Sequence, residues 1–120
     1  MYELSKQFRF DSAHTLNREI QTESSLRIHG HSYRGEVTLR GEPDPKSGMI
    51  MDIGILEQRL EDVQAALDHH FLDEIEDLGP ATMENLCKWI WDRLKPELPA
   101  LAKVSVHRDS SGETCTYCPD

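Results

Sequence analysis

Residues 27–37 read RIHGHSYRGEV, and their alternating pattern is the starting point for predicting the fold. His29, His31, Tyr33 and Val37 recur at alternate positions, as expected for one face of a β-strand. On a strand, the Cα atoms of His29 and His31 lie about 6.5 Å apart, and their side chains point to the same side. Two imidazoles placed in this way can converge on one cation, so the strand is also a candidate metal site.

The preceding segment predicts a second strand that pairs with the first. Residues 2–14 alternate between an apolar and a polar face, and His14 lies at the end on the apolar face. The polar stretch 15–27 is expected to be a loop joining the two strands as antiparallel neighbours. His14 is then the natural third ligand beside His29 and His31. Three histidines leave an open coordination position, which is typical of catalytic rather than structural zinc.

The rest of the chain predicts two helices followed by two more strands. Asp52 is a candidate N-cap of a helix whose apolar residues recur at spacings of three and four up to Leu67, and Thr82 is a candidate cap of a second helix ending before Pro96. Val104 and Val106 begin a third strand, and residues 114–118 form a short fourth. The predicted fold class is α+β, an antiparallel four-stranded sheet with two helices on one face.

Composition narrows the range of functions. The 120 residues are expected to form a single domain, residues 1–120, with a formal net charge of −9. This charge disfavours binding to nucleic acid or to an anionic membrane, and a small-molecule partner fits better. No apolar segment approaches a signal peptide or a membrane span, so we expect a cytoplasmic protein.

A second polar cluster follows the first predicted helix. Asp68 is followed by His69 and His70. A carboxylate beside a histidine can hold one tautomer of the ring and raise its basicity, as in a proton relay. Adjacent residues on a regular helix do not face each other, so this relay requires the helix to end near Leu67. A polar helix end without a catalytic role is the alternative.

Five motifs together resemble a known family. In order and spacing they match the 6-pyruvoyltetrahydropterin synthase and 6-carboxytetrahydropterin synthase family, over nearly the whole chain. The histidine motifs and LDHH are the most specific. The motifs are residues 10–14 (FDSAH), 29–33 (HGHSY), 48–52 (GMIMD), 67–72 (LDHHFL) and 80–86 (PATMENL).

The resemblance implies a tunnelling fold (T-fold), in which trimers close a barrel and often stack as hexamers. It implies action on 7,8-dihydroneopterin triphosphate with Zn²⁺ as the cofactor, and elimination of triphosphate. It also implies that His14, His29 and His31 hold zinc and that Asp68 and His69 form the relay, with His70 a weaker candidate. Barrel closure would remove exposed strand edges, which independently favours a homo-oligomer.

Two positions depart from the family pattern. Ser25 occupies the position of the catalytic cysteine, and a hydroxyl is far less acidic than a thiol. Glu23, two residues earlier, is the alternative base. Arg108 stands where the family has a glutamate that binds the pterin N–H groups. Glu113, after a small insertion, is our choice for that carboxylate, with Asp109 as the alternative.

The sequence therefore favours a zinc-dependent lyase of the 6-carboxytetrahydropterin synthase type, acting in queuosine or pterin biosynthesis. Two alternatives stay open. One is a paralogue with another product, 6-pyruvoyl or aldolase-type hydroxymethylpterin chemistry, for which Glu23 would be the base. The other is a non-catalytic protein that binds zinc or pterin. Arg108 is either a phosphate contact or a solvated surface residue.

Overall fold

The computed structural model describes residues 1–20 and 22–119, and of Thr22 only the backbone. Its strands are β1 (Tyr2–His14), β2 (His29–Gly41), β3 (Leu101–Arg108) and β4 (Glu113–Tyr117). Its helices are α1 (Thr22–Leu26), α2 (Ile53–Leu67) and α3 (Met83–Leu94), with a 3-10 turn at Leu72–Glu74. The predicted order of strands and long helices is confirmed.

The short helix α1 corrects the prediction of a plain loop over residues 15–27. Its five residues, TESSL, are too few to show a helical repeat of apolar residues, so periodicity could not reveal it. Gln21 of the predicted loop lies outside the described residues. The helix is important for the site because it carries both Glu23 and Ser25.

The four strands form one antiparallel sheet in the order β1-β2-β3-β4. The register of β1 and β2 runs from Tyr2 opposite Gly41 to His14 opposite His29. Side chains at paired positions lie on the same face of a sheet. This pairing therefore places all three predicted metal ligands together at one end of the sheet.

Helices α2 and α3 cover one face of the sheet, as predicted, with α2 against β1 and α3 against β3 and β4. Both predicted caps are confirmed: the Asp52 side chain accepts a hydrogen bond from the Gly54 amide, and Thr82 accepts one from the Asn85 amide. The core between the layers contains aromatic and branched aliphatic side chains. It includes Phe10, Tyr33, Val37, Leu39, Leu56, Leu67, Leu86, Ile90 and Val104.

The opposite face of the sheet is polar and is ordered by hydrogen bonds between strands. His107 on β3 lies 3.1 Å from a Glu36 carboxylate oxygen and 2.9 Å from the Thr114 hydroxyl. Ser5 and Thr38 pair at 2.8 Å on the same face. The sheet is open, with β1 and β4 at its edges, as expected of a barrel that only an oligomer completes. No helix in the described part of the chain is long and apolar enough to span a bilayer.

Position 35 requires a glycine because an aromatic ring packs closely against its backbone. Gly35 pairs with Phe8, and a Cβ added at Gly35 would lie 2.4 Å from the tip of the Phe8 ring. We expect Gly35→Ala to lower the free energy of unfolding by about 1–3 kcal/mol through overpacking, measured by urea denaturation.

Gly30 on the same strand provides the matched control, because a Cβ there would meet only the Ser12 carbonyl oxygen at 3.5 Å. Gly30→Ala should therefore cost much less than Gly35→Ala. In a Phe8→Ala background the cost of Gly35→Ala should largely disappear, since the two residues share one space. Equal costs in both backgrounds would contradict the overpacking explanation.

Candidate metal centre and active site

Three histidines meet where β1 ends and β2 begins. His14 pairs with His29 across the two strands, and His31 lies two residues further along β2 on the same face. One nitrogen from each ring lies within 4.8 Å of the others. The Nε2 atoms of His14 and His31 are 3.1 Å apart. The predicted convergence of these three side chains is thus present in the structure.

Backbone carbonyl groups set the orientation of two of the rings. Nδ1 of His14 donates a hydrogen bond to the Ala81 carbonyl at 2.8 Å, and Nδ1 of His29 donates to the Arg27 carbonyl at 2.8 Å. A carbonyl oxygen can only accept, so Nδ1 carries the proton in each neutral ring. The Nε2 lone pairs are left to face the shared space, which is the tautomer that a metal ligand needs.

The geometry and protonation of the cluster fit a zinc ion. Two ligands of a tetrahedral zinc with Zn–N bonds of 2.0–2.1 Å lie about 3.3 Å apart, close to the 3.1 Å between His14 and His31. Burial, followed by the nearby Arg108 guanidinium, lowers the pKa of His31 to about 4. Burial also lowers the pKa of His14. Both rings are therefore neutral at pH 7, as a metal ligand must be.

Ser25 faces the histidines and Glu23 does not. A cavity of about 310 Å³ is lined by all three histidines together with Arg18, Ser25 and Arg108, among others. Ser25 is 6% exposed. The Glu23 side chain is 86% exposed, and its carboxylate accepts a hydrogen bond from Arg27 at 2.8 Å. In this conformation Ser25, and not Glu23, lies at the histidine cluster.

Arg108 lines this cavity. The alternative that Arg108 is a solvated surface residue is therefore wrong. Its side chain is 19% exposed, and Nη1 lies 3.3 Å from Nε2 of His31. Nη2 forms an ion pair of 2.5 Å with the Glu113 carboxylate. A hydrogen bond from Ser111, together with the charge of Arg108, holds the pKa of Glu113 below its usual range. Glu113 is thus ionised and held against Arg108, a residue that lines the histidine cavity.

Asp109, the alternative carboxylate, is held in a separate ion pair. The guanidinium of Arg34 donates two hydrogen bonds to it, at 2.9 and 3.0 Å, and this contact lowers the pKa of Asp109. Neither Asp109 nor Glu113 lines the histidine cavity itself, but Glu113 is ion-paired with Arg108, which does. Of the two carboxylates, the geometry favours Glu113.

The expected relay between Asp68 and His69 has the required local geometry. Helix α2 ends at Leu67, as the relay requires, and His69 adopts a positive φ of 57°. Nδ1 of His69 then lies 2.9 Å from one Asp68 carboxylate oxygen. The Asp11 amide donates to the other oxygen at 2.8 Å. The Asp68 carboxylate therefore accepts a hydrogen bond on each oxygen. The bond from the Asp11 amide holds the carboxylate in place, and the carboxylate in turn orients the His69 ring.

The relay borders a second cavity, of about 450 Å³, whose lining includes His69, His70 and His31. His31 lines both cavities. The His69 side chain is 81% exposed, and His70 uses Nδ1 to donate to the Asp68 carbonyl at 2.8 Å. Within one chain, the relay and Ser25 thus lie on different sides of the histidine cluster.

The relay geometry makes a prediction about titration. The Asp68 carboxylate, through its hydrogen bond and its charge, raises the pKa of His69 above 6.5. Because the carboxylate stabilises the protonated ring, its removal in Asp68→Asn should lower the pKa of His69, as measured by NMR. Asp62→Asn, which removes an exposed carboxylate from α2, is the control and should leave this titration unchanged. No decrease in Asp68→Asn would contradict the pairing.

Sequence reasoning missed the carbonyl groups of Ala81 and Arg27 that orient two of the rings. A backbone acceptor has no residue-type signature, so no motif could have indicated it. It also missed the approach of Arg108 to His31, which depends on how β3 and β4 end. The only signal was that Arg108 occupied a position where the family has a site residue.

The fold and the histidine cluster together define a T-fold protein. The 6-pyruvoyl tetrahydropterin synthase of Caenorhabditis elegans superposes with a TM-score of 0.84 at 27% identity, covering 99% of this chain and 96% of that structure. A family profile described as 6-pyruvoyl tetrahydropterin synthase matches residues 3–120. The chain therefore belongs to the 6-pyruvoyl tetrahydropterin synthase family, as the sequence motifs predicted.

Relatives within the family are named for different activities. The 6-pyruvoyl tetrahydrobiopterin synthase of Homo sapiens is 32% identical over 121 residues, covering 88% of this chain and 83% of that protein. The 6-carboxy-5,6,7,8-tetrahydropterin synthase of Synechocystis is 33% identical over 122 residues, covering 97% and 89%. A dihydroneopterin monophosphate aldolase of Pyrococcus furiosus is 37% identical over 95 residues, covering 79% and 76%.

Proposed function

We propose that this protein is a zinc-dependent lyase of the 6-carboxy-5,6,7,8-tetrahydropterin synthase type that acts on 7,8-dihydroneopterin triphosphate. The observation that carries this proposal is the convergence of three imidazoles on one space beside a cavity. Membership of a family of pterin lyases supports the substrate class. The relative from Synechocystis, which aligns with 97% of this chain, supports the carboxy product.

The residues have distinct roles in this proposal. His14, His29 and His31 hold zinc, which when bound would acidify C–H bonds next to the substrate oxygens that it binds. The ionised Glu113 accepts hydrogen bonds from the pterin N–H groups. Asp68 orients His69, which transfers protons at its exposed ring nitrogen. His70 remains outside the assigned roles because its Nδ1 is engaged by a backbone carbonyl.

Ser25 is the proposed proton-transfer residue at the metal centre. Its place in the wall of the histidine cavity supports this choice over Glu23. An ordinary hydroxyl is a weak acid and a weak base. Compared with a protein that has a thiol at this position, more of the proton transfer must therefore depend on the relay residues and on activation by zinc. We therefore expect slow turnover by the native chain.

A second candidate is aldol-type cleavage to a hydroxymethylpterin. The lack of any cysteine between residues 1 and 86 favours it, and the similarity to the aldolase from Pyrococcus furiosus adds support. In this reaction Glu23 would act as the base after α1 moves. A non-catalytic zinc- or pterin-binding protein is the remaining alternative.

The test is to incubate the zinc-loaded protein with 7,8-dihydroneopterin triphosphate and to identify the products by mass spectrometry. Formation of the 6-carboxy product supports the proposal. Formation of a hydroxymethylpterin that is lost in Glu23→Gln supports the aldolase. If the native chain returns only unchanged substrate while Ser25→Cys turns over, or if pterin binds without any turnover, the native chain is not this enzyme.

We further propose that residues 1–120 act as one domain within a cytoplasmic homo-oligomer, a trimer or hexamer. The open sheet, with β1 and β4 at its edges, supports assembly, and three free cysteines are in keeping with a reducing compartment. Assembly would also allow the relay of one chain to serve the metal centre of a neighbour. Light scattering coupled to size-exclusion chromatography gives the oligomeric state directly, and a monomer would contradict this proposal.

A further inference from the structure

Arg108 places a cationic side chain against one of the predicted metal ligands. It is the last residue of β3, and its guanidinium turns into the cavity that the three histidines line. Nη1 lies 3.3 Å from Nε2 of His31. Arginine stays protonated at any physiological pH, so the charge is permanent. A permanent cation beside a site for another cation needs a physical explanation.

The donors of Arg108 are only partly satisfied. Glu113 accepts from Nη2, but Nε is buried without any hydrogen-bond partner. Nη1 has the Nε2 lone pair of His31 as its acceptor, and this is the atom of His31 that lies 3.1 Å from Nε2 of His14. If that lone pair is given to a metal ion, the guanidinium loses this acceptor and keeps only Glu113 and the Tyr33 hydroxyl, with which it also forms a hydrogen bond. A buried N–H without an acceptor is unfavourable, and more so on a charged group.

The charge balance indicates what would satisfy these donors. A divalent ion bound by the three histidines would bring two positive charges next to Arg108. Glu113 supplies one negative charge and is already shared with the Ser111 hydroxyl, which donates to the carboxylate at 2.8 Å. An anionic oxygen group in the cavity would accept from the free N–H groups and offset the cations. Guanidinium is well suited to this role because its planar N–H groups match carboxylate and phosphate oxygens.

We propose that Arg108 binds an anionic oxygen group of the ligand beside the metal centre, either a phosphate of the substrate or the carboxylate of the 6-carboxy product. This inference rests on the proposed function for the presence of the metal, and it adds a specificity determinant to that function. Glu113 competes for the same guanidinium when the site is empty. Binding of the anion to Arg108 frees the Glu113 carboxylate, which then becomes available to a neutral N–H edge of the same ligand.

The alternative is that Arg108 has a structural role only, as the ion-pair partner of Glu113 at the β3–β4 turn. The two roles predict opposite effects of Glu113→Gln. If Arg108 binds an anion, loss of the competing carboxylate should tighten anion binding. If Arg108 serves only the ion pair, the same variant should lower stability and leave anion binding unchanged.

The experiment measures binding of inorganic phosphate and, separately, of acetate to the zinc-loaded protein by calorimetry, with zinc content determined for each variant. We expect Arg108→Gln to weaken binding of the preferred anion at least about tenfold with zinc retained, since a hydrogen bond between charged groups is lost. Glu113→Gln should bind that anion more tightly than the native chain. The anion with the larger dependence on Arg108 identifies the group as phosphate or carboxylate.

Arg59→Gln is the matched control, because Arg59 is also ion-paired, with Glu97 at 2.8 Å, but lies on α2. It should bind both anions as the native chain does. Should Arg108→Gln fail to fold, Arg108→Lys keeps the charge without the planar N–H pair and should give an intermediate loss. Unchanged anion binding in both Arg108 variants, loss of zinc in either folded variant, or an equal loss in Arg59→Gln would overturn the proposal.

These results are independent of the test of the proposed function. Arg108-dependent anion binding without pterin turnover would reject the synthase assignment and leave the anion site in place. Turnover of 7,8-dihydroneopterin triphosphate in Arg108→Gln, with both the KM and the inhibition by product unchanged, would support the synthase and reject the anion site.

Discussion

Replacement of His29 by alanine should remove bound zinc and reduce lyase activity by roughly 10³-fold, about 4 kcal/mol of transition-state stabilisation. Two imidazoles would be left to hold the ion, and catalytic zinc sites require three protein ligands. His29 is the best of the three for this test because it is partly exposed, whereas His14 is 2% exposed. Its removal should therefore affect the metal more than the fold.

The measurement is zinc content by elemental analysis together with the initial rate of substrate loss. His70→Ala is the control for zinc content, because His70 is a nearby histidine whose ring lies outside the cluster. It should retain zinc at the level of the native chain. Full zinc occupancy in His29→Ala would show that the metal is held elsewhere, and equal loss in both variants would indicate a general effect on folding.

Replacement of His69 by glutamine should lower kcat by about 10²–10⁴-fold, the usual contribution of a positioned acid or base. Glutamine preserves the approximate size and polarity of the side chain but does not titrate. The Asp68 carboxylate keeps its hydrogen bond from the Asp11 amide in this variant, so the local backbone should be retained. Zinc content and anion binding should stay unchanged, since neither depends on the His69 ring.

A kinetic pH profile separates a proton-transfer role from a structural one. In the native chain the limb assigned to His69 should lie above pH 6.5, because the adjacent carboxylate raises the pKa of that ring. The same limb should shift to lower pH in Asp68→Asn and be absent from His69→Gln. Native kcat in His69→Gln, with the limb still present, would exclude His69 from the reaction.

The fold could be predicted from the sequence because its signals are local. Apolar and polar residues alternate in residues 2–14 and 29–39, and this alternation indicates which side of each strand is buried. One buried face of a helix is indicated by apolar residues three or four positions apart, at Leu56, Leu60, Val63 and Leu67. The caps Asp52 and Thr82 mark where helices begin. Helix α1 had no such signal, since five residues make little more than one turn.

The order of strands and helices, the common face of His14, His29 and His31, and the family motifs can all be predicted from the sequence. These follow from residue types and spacings within single elements. The folded chain was needed to show that Ser25 rather than Glu23 faces the cluster and that Arg108 points into the cavity. Both depend on how separate segments pack, and on backbone carbonyl groups and ion pairs that residue spacing does not encode.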